Sequence, residues 1–214
     1  ETLGLRSSAF GDEHPETLET LTELGNNQYL MGHYDQAIET LDRAFKLRQR
    51  VLGGDHRETL QTQNQVAFCL QAKGQYSAAE QEFLAALTQQ EQAIGKNHPE
   101  YLKTLDNLSA LYREMGDYRQ ASSLAEQCSE TSRKVLGKEH PQHLEALTSL
   151  GTIRTLEGRY DLAQKHYLNA LRLRESVLGE KHPRTLSSKA NLANLHKIKG
   201  LYRESEKLLI AVRT

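Results

Sequence analysis

A histidine returns every 42 residues. His14, His56, His98, His140 and His182 each sit in a stretch of the same make-up: AFGDEHPETL at 9–18, VLGGDHRETL at 51–60, AIGKNHPEYL at 93–102, VLGKEHPQHL at 135–144 and VLGEKHPRTL at 177–186. A strict period of this size, held over five copies, marks a stacked repeat array in which each unit buries its apolar face only against its neighbours. It outranks the length of 214 residues as a guide to organisation, because length counts domains only where each has a core of its own. The chain therefore reads as one domain over 1–214.

A second series runs in step with the first: GHY at 32–34, GQY at 74–76, GDY at 116–118, GRY at 158–160 and GLY at 200–202. Each lies 18 residues past its histidine, so two different glycine turns cut every repeat into two segments of similar length. Leu102, Leu105, Leu108, Leu111 and Tyr112 recur at three and four residues, which places them on one stripe of a helix, here helix A. After the Gly-x-Tyr turn, Tyr160, Ala163, Tyr167, Ala170, Leu171 and Val177 have similar spacing and are expected to form the buried stripe of helix B. Each helix should be about 25 Å long, and the short turn makes the pair antiparallel. The repeats fall at about 15–52, 57–94, 99–136, 141–178 and 183–214, with 1–10 the tail of a preceding helix B. Leu3 and Leu5 align with Phe45 and Leu47, so both ends are expected to be cuts in a longer protein.

The His-Pro stretch has a chemical reading. Gly179 follows the last apolar turn of helix B, where a left-handed glycine closes a helix without steric cost. His182 takes the N-cap of the next helix, and Pro183 the first helical position, where its missing N–H is not needed. The same roles fall to Gly11, His14 and Pro15, to Gly95, His98 and Pro99, and to Gly137, His140 and Pro141. Arg57 replaces the proline in repeat two, which loosens that turn slightly.

Five spaced histidines invite a metal reading, which geometry opposes. Zinc ligands sit ~2.0–2.1 Å from the ion, whereas equivalent residues of stacked repeats are about 10 Å apart. Neither His143 nor His166 completes a ligand pattern. Cys69 is equivalent to Leu111, Ile153 and Leu195, and Cys128 to Ala44, Ala86 and Ala170, so both read as core positions. The two cysteines are too few for a disulfide framework. No metal, cofactor or catalytic residue is expected: no phosphate-binding glycine loop, nucleophile elbow or H-E-x-x-H stretch occurs, and the expectation is that the chain is not an enzyme. A formal net charge of −1 gives no reason to expect nucleic acid or a membrane as partner. No apolar run approaches the ~20 residues of a membrane span, and ETLGLRSSAF lacks the layout of a secretory signal, so a cytoplasmic location is the default.

The series Leu24-Gly25, Gly32, Tyr34, Ala37, Ala44; Ala67, Gly74, Tyr76, Ala79, Ala86; Leu108-Ser109, Gly116, Tyr118, Ala121, Cys128; Leu150-Gly151, Gly158, Tyr160, Ala163, Ala170; and Leu192-Ala193, Gly200, Tyr202, Ser205 resembles the tetratricopeptide repeat. That repeat usually has about 34 residues; the 42-residue form with LG-x-x-HP-x-T-L between copies is similar to the kinesin-light-chain type. The resemblance implies an all-α fold, a right-handed α-α superhelical solenoid, with helices A lining the concave face. This chain departs from kinesin light chains in its His-Pro turns and in having only Tyr167 in the tyrosine-rich part of helix B. Helix B of repeat three, YRQASSLAEQCSETSRKVLG, is unusually polar and should be the loosest packed.

Helix A positions outside the stripe should face the groove. They are rich in carboxamides, which both donate and accept. Asn26, Asn64, Asn107, Asn191 and Asn194, with Gln65, make a candidate ladder for the backbone of an extended peptide. Groove asparagines hold cargo peptides in kinesin light chains, so the resemblance implies the same role here. Bonding among themselves or with solvent is the rival reading. Tyr29 and Phe68 are candidate aromatic anchors, or ordinary interhelix packing. Glu19 and Glu23 make the first repeat acidic, while Lys103, Arg113 and Lys197 lie further along, so a partner peptide would turn its basic residues toward repeat one. The first expectation is a protein-protein interaction module, a scaffold or adaptor whose groove takes about 15 extended residues. The alternative is a sensor or self-assembly domain of a larger signalling or innate-immunity-like receptor, contacting its own chain or sister copies. A nucleotide-binding or protease domain upstream would favour the second, a heptad coiled coil the first.

Overall fold

The computed structural model describes residues 2–213, with side chains for 3–210. Among the described residues there are eleven α-helices and no strand: α1 (Thr2–Phe10), α2 (Pro15–Leu30), α3 (Tyr34–Leu52), α4 (Arg57–Ala72), α5 (Tyr76–Ala93), α6 (Pro99–Glu114), α7 (Tyr118–Val135), α8 (Pro141–Leu156), α9 (Tyr160–Leu178), α10 (Pro183–Ile198) and α11 (Tyr202–Arg213). From α2 onward the even helices are helices A and the odd ones helices B.

Both turn types follow from the glycines. At the end of each helix A, the amide after the glycine donates five residues back, as His33 N does to Gln28 O at 2.9 Å, and the glycine itself donates to the residue three back, as Gly32 N does to Tyr29 O at 2.9 Å. This Schellman pair recurs at Gly74, Gly116, Gly158 and Gly200, all with φ between 75° and 81°, where a side chain is strained. The inter-repeat glycines also have positive φ, but the expected left-handed helical cap is corrected in detail. Gly53 and Gly179 have ψ of 159° and 163°, a positive-φ extended shape open essentially to glycine alone.

The histidine caps form as expected. The Nδ1 atoms of His14, His56, His98, His140 and His182 accept the backbone N–H two residues on at 3.2–3.3 Å. Each replaces one of the helix's unpaired first-turn partners. His56 does so ahead of Arg57 as well as its counterparts do ahead of proline.

The chain has two compact units, residues 1–104 and 105–214. In the first, α1 packs on α2, α2 on α3, α3 on α4 and α4 on α5, and α2 also touches α4. Its core holds Ala37, Leu41, Val66 and Cys69, with Tyr29, Ile38 and Leu70 against them. In the second, α7 packs on α8, α8 on α9, α9 on α10 and α10 on α11. Leu144, Leu147 and Ala170 form one cluster there, and Ala163, Tyr167, Leu171, Leu192 and Leu195 another. Each fully buried Leu or Ile contributes roughly 1.5–3 kcal/mol.

Helix A meets helix B closely only where the residue facing the crossing is small. A Cβ on Gly151 would stand 2.5 Å from a Tyr167 ring carbon, and one on Gly25 2.6 Å from Leu41. Tyr160 and Val177, expected inside, are 36% and 47% exposed. They lie in the first and last turns of α9, at the ends of the hairpin. The polarity of α7 is taken inward: Ser122, Ser129 and Ser132 are buried, with Ser132 Oγ donating to Cys128 O at 2.6 Å. Cys69 and Cys128 are buried as core residues, and burial pushes their thiols up to about 11 and about 12.

Candidate functional site

In the first unit the exposed flanks of α2 and α4 form the walls of an open groove of about 420 Å³. Helical spacing puts Glu16, Glu19 and Glu23 on one face of α2, and Glu58, Gln61 and Gln65 of α4 lie opposite. Arg48 reaches in from α3. Arg48 is 7% exposed, with Nη1 donating to Thr62 Oγ1 at 2.6 Å and Nη2 3.5 Å from Glu58 Oε2. Burial lowers the pKa of Arg48, while Glu58 and Glu19 act to raise it.

Of the residues expected to bind peptide in this unit, Gln65 lines the groove. Its Oε1 is buried without a hydrogen-bond partner among the described residues. Asn64 is turned along the wall. Its Nδ2 donates to Leu60 O at 3.1 Å and to Thr104 Oγ1 at 3.0 Å, and its Oδ1 has no partner. Asn26 is half-buried. The two aromatics are half-buried and packed: Phe68 makes an edge contact with Phe83 at 5.5 Å and 82°, and Tyr29 lies 5.8 Å from Tyr34 over the core. Thr22, another groove position, is buried and donates to Leu18 O.

In the second unit Asn107 is half-buried, and its Nδ2 has no partner among the described residues. Beside it in sequence, burial raises the Asp106 carboxyl pKa. A Ser149 hydrogen bond lowers it, Glu145 raises it and Arg113 lowers it. Arg113 thus contributes its field to this wall. Asn191 is half-buried and Asn194 exposed. Among the described residues no group of three or more His, Cys, Asp or Glu is placed to hold a metal ion. No helix is long and apolar enough to cross a membrane.

Counting by 42 for apolar positions alone misses a series of arginines, of which Arg48 and Arg174 are buried and Arg6 half-buried. Arg6 Nη1 donates to Thr20 Oγ1 at 2.6 Å, Arg48 Nη1 to Thr62 Oγ1 at 2.6 Å, and Arg174 Nη1 to Ser188 Oγ at 2.5 Å. Each ties a helix B to the following helix A. Their signal was present in the sequence, an arginine in one register with a hydroxyl residue 14 positions on.

Residues 1–50, 29–81, 58–134 and 142–211 match the model of the tetratricopeptide repeat. A search among curated protein sequences found no match. The chain is similar to the putative kinesin light chain repeats of Podosopora anserina, in two structures each 26% identical. One covers 94% of both chains with a TM-score of 0.76, and the other 94% of this chain and 95% of that one with a TM-score of 0.74. BtubC (BKLC) from P. vanneervenii shares the fold at 16% identity, over 92% of this chain and 79% of its own, with a TM-score of 0.76. With the five turn pairs and the capped helices, these matches settle the family: the chain belongs to the tetratricopeptide repeats and is an all-α solenoid of the kinesin-light-chain-like kind.

Proposed function

We propose that this protein-interaction module holds an extended segment of a partner protein against its helices A, in the manner of an adaptor. The observation that carries the reading is the state of the carboxamides. Asn64 spends both donors on Leu60 O and Thr104 Oγ1 and keeps its carbonyl oxygen unbonded. Gln65 Oε1 is likewise unbonded. In the second unit Asn107 has its Nδ2 unbonded. Buried polar atoms are nearly always paired, and a passing peptide carries an N–H and a C=O at every residue. Once these half-buried side chains turn toward the groove, an extended main chain supplies the missing partners without demanding a sequence. Asn26 would extend the wall of the first unit, with Tyr29 and Phe68 as its apolar edges, and Asn191, Asn194 and Arg113 that of the second.

A segment that orders on docking gives up conformational freedom, so the affinity expected is micromolar. Peptides selected on the chain from a random library supply the ligand for calorimetry. The proposal requires that Gln65→Ala weaken the best peptide by about tenfold, the upper end of what one hydrogen bond contributes. Unchanged affinity, with circular dichroism showing the helices intact, would remove it.

A further inference from the structure

Resting on that reading, we infer that the wall of the first unit selects a cationic stretch of its partner, with an arginine or lysine side chain lodged between Glu19 and Glu23. These two carboxylates stand one helical turn apart on α2, both exposed, and neither has an ion pair within 4 Å among the described residues. Like charges at that spacing repel. The fold does not require them: the same register holds Gln61 and Gln65, Lys103 and Asn107, Glu145 and Ser149, and Ser187 and Asn191. Only the first repeat places acids at both positions.

Arg48 acts on Glu19 but is already paired with Glu58, and the unit as a whole stays acidic. Residues 1–104 contain fifteen Asp and Glu against nine Lys and Arg, a balance of −6, whereas residues 105–214 contain thirteen against eighteen, a balance of +5. Eight of the nine cations of the first unit already have ion pairs. Arg43 takes Asp12, Arg50 takes Glu13, Lys73 takes Asp35 and Arg57 takes Glu100; Arg6, Lys46, Arg48 and Lys96 are engaged with Glu16, Asp42, Glu58 and Glu91. The surplus negative charge includes the groove pair.

The floor of the same groove is built for a peptide and not only for a loose cation. Arg48 is more than nine-tenths buried, and its Nε has no acceptor among the described residues. Gln65 Oε1, in the same groove, has no donor. A peptide N–H satisfies Gln65 Oε1 once that half-exposed side chain turns into the groove, while the basic side chain beside it meets Glu19 and Glu23 and Arg48 stays buried behind them. A volume of about 420 Å³ lies in the range of pockets that enclose small ligands. An acidic segment would instead bring its carboxylates against Glu16, Glu19, Glu23 and Glu58.

The test selects random dodecapeptides displayed on phage against the full 214-residue chain, as wild type and as Glu19→Gln/Glu23→Gln. Arginine and lysine should be enriched on the wild type and not on the variant. By fluorescence anisotropy, the best basic peptide should bind the variant at least tenfold more weakly. Glu39→Gln/Asp55→Asn removes the same charge outside the groove and should change affinity less than twofold. An equal loss in that control overturns the inference, since it reduces the effect to the field of the whole unit. Neutral or acidic peptides that bind and lose affinity with Gln65→Ala overturn the charge selection and leave the peptide-binding reading standing. Selection that never exceeds background on the wild type overturns both.

Discussion

Asn64 Nδ2 stands 3.0 Å from Thr104 Oγ1, forty residues on, and that bond links the second helix A to the third. The link holds the side chain in one orientation, with its oxygen left for another donor. Thr104 is itself occupied in donating to Glu100 O at 3.1 Å, so its oxygen is the acceptor in the Asn64 bond. Thr104→Val, which keeps the shape and removes that acceptor, should free the amide to rotate. The expected result is peptide affinity lowered three- to tenfold with a melting temperature within about 4 °C of wild type, the shift of about 1 kcal/mol in a chain this long. Calorimetry beside a thermal melt checks both halves.

Gly151 and Tyr167 make a second prediction. With a Cβ 2.5 Å from the ring, Gly151→Ala must push the ring aside and break its hydroxyl contact with Thr152 Oγ1 at 3.0 Å. Overpacking of this kind costs about 1–3 kcal/mol. In repeat three the corresponding pair is Ser109 and Ala125, so room for a side chain on helix A comes with a small partner on helix B. A double-mutant cycle of Gly151→Ala with Tyr167→Ala, measured by urea unfolding, should therefore be strongly non-additive.

The capping histidines separate structure from metal chemistry. His98→Ala should cost about 1 kcal/mol, and His98→Ser should recover most of it, because only an acceptor for the Glu100 amide is required. Zinc should leave the melting temperature of wild type and both variants unchanged. A zinc-dependent rise in the wild type alone would contradict the capping role.

His143 gives the pH dependence. It is buried, with Nδ1 3.0 Å from Ser129 O. Burial lowers its pKa from 6.5; the Ser129 hydrogen bond raises it and Arg133 lowers it. A pKa depressed in the folded state contributes stability that is complete above the unfolded value, near 6.5, and is lost as the pH falls from there through the folded value. Urea midpoints at pH 7.5 and 5.5 should therefore drop further for wild type than for His143→Gln. Burial of His166 acts in the same direction, so the variant should retain part of the drop.

Much of the fold was legible because it is written five times. A glycine that must take positive φ, a histidine that must accept an amide and an apolar stripe at helical spacing are local demands, and repetition separates them from chance. The ends of helix B were harder. Tyr160 and Val177 have the right spacing, yet exposure there depends on what stands beyond the hairpin, which spacing does not encode. The candidate site was legible as a set of positions and not as a set of bonds. Asn64 and Asn107 share the carboxamide chemistry, but one is left with an acceptor and the other with a donor. Asn64 Nδ2 is taken by Leu60 O and by Thr104, and helical spacing alone does not connect Thr104 with Asn64. Arg48 was passed over because a charged residue on helix B reads as solvent-facing until the hydroxyl 14 residues later is counted with it.

The most direct measurement is a nuclear magnetic resonance titration of the chain with its best selected peptide, following the side-chain amides of Asn and Gln. The account predicts shifts at Asn64 and Gln65 in the first unit and at Asn107, Asn191 and Asn194 in the second, with helix B amides such as Gln81 and Asn169 unmoved. Saturable binding that shifts the helix B amides and leaves those five in place would contradict it.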